Sequence, residues 1–162
     1  MTQLSGTTAQ YGGRTVDFLA FEDMKVKGDA LLTQALVLPG QTGALITGIE
    51  KLVQRFLLEL LTERGSLHYA PQRGTFFITK IRAGMIRTSQ SLFAAFNASE
   101  LELRNNLKME ENKLIEPADE LYKQSKLLAA SLLGDVATLS IQVKSMAEES
   151  RTVIYPLRIL AN

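Results

Sequence analysis

The chain contains no cysteine among its 162 residues and only one histidine, His68. Without cysteine it can form neither a disulfide nor a catalytic thiolate, and a zinc site would lack its commonest structural ligand. A single histidine cannot supply the usual metal cluster, and it has no cysteine to activate as a nucleophile. We therefore interpret His68 as a structural loop residue and predict that the chain holds no metal and no cofactor.

Long apolar runs and an excess of one charge are also missing. No run approaches the roughly 20 apolar residues that span a bilayer. The start of the chain, MTQLSGTTAQYGG, has no apolar core of the signal-peptide type, so we expect synthesis in the cytoplasm. With 18 basic and 17 acidic residues the net charge is +1, and no overall field favours nucleic acid or an anionic membrane. We interpret the basic group Arg73, Lys80, Arg82 and Arg87 as a solvated helix flank.

Sequence patterns typical of enzymes are not found either. No strand leads into a GxGxxG or GxxxxGK pattern, and Ser66 has no GxSxG context. Adjacent carboxylates such as Glu110 and Glu111 point in different directions on a helix, whereas a glycosidase needs two carboxylates on opposite sides of one bond. We predict no catalytic residue. The alternative function is a small hydrolase of cell-wall polysaccharide, with Glu63, Glu110 and Glu116 as the carboxylates to substitute.

The clearest positive signal is an amphipathic helix at about residues 44–63. Its apolar residues recur at spacings of three and four, which is typical of one buried helix face. They are Ile49, Leu52, Val53, Phe56, Leu57, Leu60 and Leu61. We expect this helix to dock on a core.

A turn-rich segment follows this helix. Gly65, Ser66, Pro71 and Gly74 are predicted to form a structural turn rather than a phosphate site, because glycines permit tight turns. Gly74 in particular is expected to adopt a backbone conformation that a β-carbon would oppose.

A second helical pattern covers about residues 77–114. Its heptad-like seam admits a break near Gly84 or near 97–99, and Ser99 with Glu102 has capping-box spacing. The seam fits either an internal core or packing with partner helices, and the chain offers no second helix of similar length to cover it. We assign four seam residues to partner binding, namely Leu92, Phe96, Leu103 and Leu107. The full seam also includes Met85 and Leu114.

Towards the end of the chain the periodicity changes from helical to alternating. A third helix is predicted at about 119–133, with Gly134 as its C-terminal cap. The runs 138–144 and 151–160 then alternate apolar and polar residues and predict a C-terminal β-hairpin. Pro156 lies within its second strand, so the side that lacks an amide proton must face an edge or a gap.

The remaining expectations concern the overall organisation. Residues 1–13 are predicted to be a flexible tail, and 14–162 a single domain. Short strands are predicted near 16–21 and 35–38. The predicted fold class is α+β, with helices packed on a small antiparallel sheet that includes the C-terminal hairpin.

Three segments, taken in order, resemble a known family. They are the helix ending LVQRFLLELLTERGS, the turn APQRGT, and the hairpin ATLSIQVKS…RTVIYPLRI. Together they are similar to the lysozyme-like baseplate wedge proteins, or sheath initiators, of contractile-tail phages and related injection machines. The resemblance covers about residues 44–160, and the stretch 77–134 is longer than the usual middle of that family.

This resemblance implies a virion protein of the tail baseplate without enzyme activity. Its partners would be other baseplate wedge proteins and the tail sheath protein, with the tail tube as a further candidate, and neither nucleic acid nor membrane. We expect sheath to add a strand to the C-terminal hairpin. The residues assigned to this contact are Val153, Tyr155, Leu157 and Ile159. The second alternative is a helical adaptor unrelated to phages.

Overall fold

The structure, a computed structural model, describes residues 16–18, 21–25, 32–36, 45–112 and 116–159. The predicted tail at 1–13 lies outside the described residues. So do 113–115, near the end of the predicted second helix, and 160–162, at the end of the chain. Within them the fold is α+β, as predicted: helices pack on a three-stranded antiparallel sheet.

The first helix, α1, spans Gly48–Leu61. The predicted apolar stripe is confirmed, because its residues form the buried face of this helix. Leu52, Phe56 and Leu57 have no exposed surface. The helix ends where the Thr62 N–H donates to the Leu58 carbonyl oxygen at 3.0 Å. The predicted turn follows and closes on itself, because the Thr75 N–H donates to the Thr62 carbonyl oxygen at 2.9 Å.

The long helical pattern is divided, as the sequence allowed, near Gly84. Helix α2 spans Phe77–Arg82 and helix α3 spans Ser89–Glu111. Gly84 between them has φ +66°, a left-handed conformation that ends the first segment. The capping box lies at Thr88 and Ser91. The predicted box at Ser99 is wrong, because Ser99 lies inside α3 and is fully buried.

The third predicted helix is wrong, because residues 122–133 form a strand. The sheet runs β5 (Tyr122–Leu133), β6 (Val136–Ser145) and β7 (Ser150–Arg158), each antiparallel to the next. Gly134 does not cap a helix. It has φ +61° and occupies the first position of the two-residue loop between β5 and β6, where type II′ turns require positive φ.

Among the described residues, four short strands precede α1. They are β1 (Asp17–Phe18), β2 (Phe21–Lys25), β3 (Leu32–Leu36) and β4 (Leu45–Ile46). Strand β1 pairs with β4, and β2 pairs with β3. Strands are thus found near both predicted positions, although 37–38 lie outside the described residues. β3 lies close to β7 but belongs to a separate two-stranded sheet.

One hydrophobic core joins α1, α2, α3 and the inner face of the sheet. The rings of Phe56 and Tyr122 stack at 6.1 Å between centroids, which ties α1 to β5. The rings of Phe77 and Phe96 meet edge to face at 6.4 Å, which ties α2 to α3. Every second residue of β6, from Ala137 to Ser145, is buried on the inner face, as its alternating sequence predicts.

Candidate functional site

Strand β7, predicted as the sheath contact, forms one edge of the three-stranded sheet. It pairs with β6 along its whole length without a bulge. At one end the Ile159 N–H donates to the Asp135 carbonyl oxygen at 2.6 Å. At the other end the Ser145 N–H donates to the Glu149 carbonyl oxygen at 2.9 Å. The odd-numbered residues of β7 therefore direct their backbone groups towards β6.

Backbone polar groups alternate sides along an antiparallel strand. The even-numbered residues of β7 consequently direct their N–H and carbonyl groups away from β6. Thr152, Ile154 and Arg158 present both groups at this outer edge, and Pro156 presents only a carbonyl. The sequence-based expectation that the proline nitrogen faces an edge is confirmed by this alternation.

The side chains assigned to partner binding on β7 lie elsewhere. Val153 is 3% exposed and belongs to the core, so its assignment as a contact residue is wrong. Tyr155, Leu157 and Ile159 are partly buried and pack against the same core. These odd-numbered side chains share the inner face of the sheet. What β7 offers a partner is therefore the backbone of the residues between them.

The seam on α3 is also internal. Leu92, Leu103 and Leu107 have no exposed surface and Phe96 is 1% exposed. The prediction that these four residues bind a partner is wrong, because α1, α2 and the sheet cover the seam within the same chain. No single long helix covers the seam; a sheet and two shorter helices do so together.

The predicted structural turn contains a closely packed glycine. Gly74 has φ +84°, and a β-carbon built there would lie 2.4 Å from the backbone oxygen of Thr62. The expected conflict with a β-carbon is thus confirmed. Gly65 has a similar φ of +85° but open space around it. Ser66 and Pro71 are exposed on the same turn.

A row of charged residues links this turn to the base of the sheet, and we call it the ionic clamp. It is a chain of alternating charges that runs from the start of β5 to the turn. Its members, in contact order, are Glu120, Lys51, Glu116, Arg55, Glu110, Arg73 and Glu59.

The α1 end of the clamp is almost fully buried. The Lys51 ammonium lies 2.6 Å from Glu120 Oε2 and 3.0 Å from Glu116 Oε1. The other Glu120 oxygen accepts the Gly48 N–H at 3.0 Å, so a carboxylate 72 residues away satisfies a backbone donor in the first turn of α1. Arg55 Nη1 continues the chain at 2.6 Å from Glu116 Oε2.

The turn end of the clamp fixes Gly74 directly. Glu59 Oε1 accepts the Gly74 N–H at 2.8 Å and the Asn106 side-chain amide at 2.7 Å. Glu59 Oε2 lies 2.7 Å from the Arg73 guanidinium. Buried charges are tolerated only when paired and hydrogen-bonded, and this arrangement meets both conditions. The clamp was not predicted from the sequence, although Lys51, Arg55 and Glu59 recur every four residues on a predicted helix.

Two neighbouring carboxylates of α3 have opposite pKa shifts. Burial alone would raise the pKa of Glu110, but the Arg73 and Arg55 guanidinium groups outweigh it and hold the pKa below its ordinary value. Burial raises the pKa of Glu111, against the opposing effect of the Tyr122 N–H that it accepts at 2.7 Å. Adjacent positions on one helix therefore have different charge environments.

The carboxylates named for the hydrolase alternative are each bound to cations. Glu110 and Glu116 belong to the clamp, and Glu63 contacts Arg82 at 2.6 Å. A general acid needs a raised pKa and access to substrate, whereas the pKa of Glu110 is lowered. No group of three acidic or histidine residues is placed to hold a metal within the part of the chain whose side chains the structure describes. None of the described helices is long and apolar enough to cross a membrane.

No protein-family model, no curated protein and no solved structure matches this chain.

Proposed function

We propose that this chain is a structural protein of a contractile phage-tail baseplate, which anchors or initiates the tail sheath by accepting a strand at β7. Its partners would be the sheath protein, other baseplate wedge proteins and the tail tube, and its location the virion. The observation that carries the proposal is the outer edge of β7, whose backbone groups have no hydrogen-bonded strand beside them among the described strands, although β3 lies close to β7.

The three resembling segments support the same proposal. The hairpin lies far from the other two in sequence, yet all three meet in one folded unit: α1 carries the clamp, Gly74 closes the turn onto α1, and the hairpin contributes to the inner face of the core. Such a body would present β7 at a fixed angle to its neighbours.

Contact with wedge proteins through helix packing would have to use the outer face of α3. Leu101 and Met109 are 58% and 59% exposed there, whereas the seam residues are buried. A purely helical adaptor is disfavoured, because a three-stranded sheet supplies one side of the core. Nothing in the environment of Glu63, Glu110 or Glu116 favours a hydrolase.

The decisive experiment changes one donor at the β7 edge. Replacing Thr152→Pro removes an N–H that points away from β6 and leaves the ladder with β6 intact, as Pro156 already does at an equivalent position. The matched control Thr152→Ala loses the same hydroxyl but keeps the N–H. Melting curves of both purified variants establish that each is folded.

Baseplates are then assembled with each variant and inspected for sheath by negative-stain microscopy. We expect sheath on baseplates that carry Thr152→Ala and little or none on those that carry Thr152→Pro. Normal-length sheath on folded Thr152→Pro baseplates would overturn strand addition at β7. Deleting residues 151–162 is a coarser test, since it also removes Val153 from the core.

A further inference from the structure

The opposite edge of the sheet carries a feature that sheath binding at β7 does not use. Strand β5 pairs with β6 alone among the described strands. From Leu127 to Gly134 it reads LLAASLLG and carries no charge. Leu133 is 83% exposed and Leu128 is 46% exposed. An uncharged, apolar edge strand is a template for pairing with another chain.

The hydrogen-bond alternation of β6 determines which β5 groups are open. The odd-numbered residues of β6 form their backbone hydrogen bonds with β7, so its even-numbered residues form theirs with β5. Their partners are Leu133, Ser131 and Ala129. Ala130 and Leu132 therefore direct N–H and carbonyl groups to the outer edge. A bulge at Leu128 ends this regular stretch, which therefore covers residues 129–133.

The segment from Leu127 to Leu133 is nearly the same read in either direction. Its central residue is Ala130. On each side of Ala130 there is first a small residue, Ala129 or Ser131, and then two leucines. Antiparallel pairing of two copies about this centre places Leu132 opposite Leu128 and Ser131 opposite Ala129. No charge then meets a like charge, since the nearest cation, Lys126, falls opposite Gly134. Self-complementarity of this kind is what a two-fold interface requires.

We propose that the outer edge of β5 is an interface between two copies of this chain, which pair antiparallel about Ala130, with a regular ladder at residues 129–131 and Leu132 opposite Leu128 at each end. The pairing is closed, because each copy uses its single β5 edge once. The contact is small, and interfaces of this size belong to the weak class. The proposal does not depend on the phage assignment, since it rests on β5 and not on β7.

Sedimentation equilibrium of the full chain tests this interface. We expect the average mass to rise from one chain towards two over roughly 10 µM to 1 mM, as a weak contact predicts. Ser131→Lys should abolish this rise in mass. The two introduced lysines, one from each copy, would lie diagonally across the interface on the same face of the sheet and repel each other. Met146→Lys is the matched control: it adds the same charge at an exposed apolar residue, 53% exposed, at the other end of the sheet, and should change nothing.

A paired substitution tests the register of the proposed interface. Its expected result is stronger dimerisation, which a loss of folding would not produce. Ala129→Lys combined with Ser131→Glu places two opposite-charge pairs across the proposed interface, so dimerisation should strengthen at least about threefold at low salt. A single-chain mass at every concentration would overturn the proposal. So would self-association that responds to Met146→Lys as strongly as to Ser131→Lys, or that weakens in the paired variant.

Discussion

The two ends of the three-stranded sheet are built on different principles. At the end where β5 begins, the ionic clamp fills the space between α1, α3 and the sheet, and Glu120 has no exposed surface. Here the Met146 N–H also donates to the Leu121 carbonyl oxygen at 2.9 Å. At the other end the β5–β6 loop projects into solvent, Leu133 is largely exposed, and one surface pair, Arg158 with Asp135, joins the strands.

This difference separates the rigid part of the molecule from the part open to partners. Buried charges cost much desolvation and add little net stability, but they require one geometry. The clamp therefore defines where the turn and the sheet sit relative to α1. The far end has no such constraint and keeps its apolar residues accessible. Substitutions at the two ends should therefore differ sharply in their effect on stability.

The largest effect should follow from removing one charge of the clamp. Lys51→Met leaves Glu120 and Glu116 without their shared cation in a buried site, and we expect a loss of about 3–5 kcal/mol in the free energy of unfolding. Urea denaturation measures this loss. Adding Glu120→Gln to the same chain should recover part of it, because the uncompensated charge disappears. A fully additive double variant would contradict the coupling of these residues.

Gly74 and Gly65 provide a matched pair within the turn. Both need positive φ, but only Gly74 would also bring a β-carbon against the Thr62 backbone. Gly74→Ala should therefore cost about 3 kcal/mol and Gly65→Ala about 1 kcal/mol. Thermal unfolding of both variants gives the comparison. Equal losses at the two sites would mean that the close approach to Thr62 is relieved at no cost.

Glu110 and Glu111 should give opposite dependences on pH. The folded-state pKa of Glu110 lies below its ordinary value of 4.5. Its stabilising contribution is therefore complete above that value and is lost as pH falls through the folded pKa. Glu110→Gln should cost on the order of 1 kcal/mol at pH 7, and the difference from the parent chain should close in acid.

The raised pKa of Glu111 has the reverse consequence. Its contribution is present below the ordinary value and is lost as pH rises through the raised folded pKa. Glu111→Gln keeps an oxygen for the Tyr122 N–H and removes a buried charge, so we expect no loss of stability at pH 7. Urea titrations between pH 3 and pH 8 would test both carboxylates. Parallel pH profiles for the two variants would contradict their separate environments.

The smallest effect belongs to the open end of the sheet. Leu133→Ser should change the free energy of unfolding by less than about 0.5 kcal/mol, because the side chain is already in water. Leu139→Ser, a fully buried leucine of β6, is the control and should cost several kcal/mol. A large loss at Leu133 would show that the projecting loop supports the core after all.

Much of the fold could be predicted from local periodicity. The α1 stripe, the break at Gly84, the turn at Gly74 and the β6–β7 hairpin each depend on residues that are close in sequence. Strand β5 could not be predicted in this way. Its leucines, alanines and lysines favour helix, and its two bulges interrupt the alternation that would have revealed a strand. Pairing with β6 overrides the local preference.

The clamp and the open edges depend on contacts that a single sequence does not display. Glu116 and Glu120 lie more than 60 residues from the cations that they hold, and no local pattern links them. The seam of α3 was assigned to partners because no second helix of similar length was predicted to cover it, whereas α1, α2 and the sheet cover it together. Cover assembled from several elements is not visible in the local pattern of any one of them.

Pro156 has a kinetic consequence for any strand added at β7. Because this position keeps its carbonyl but has no N–H, an added ladder would lack one hydrogen bond there and be weakest at that point. A strand bound out of register would then detach in steps on either side of it, without breaking a continuous row at once. Under the proposed strand addition, reversible pairing of this kind would let an assembly replace a misplaced subunit before the next one covers it.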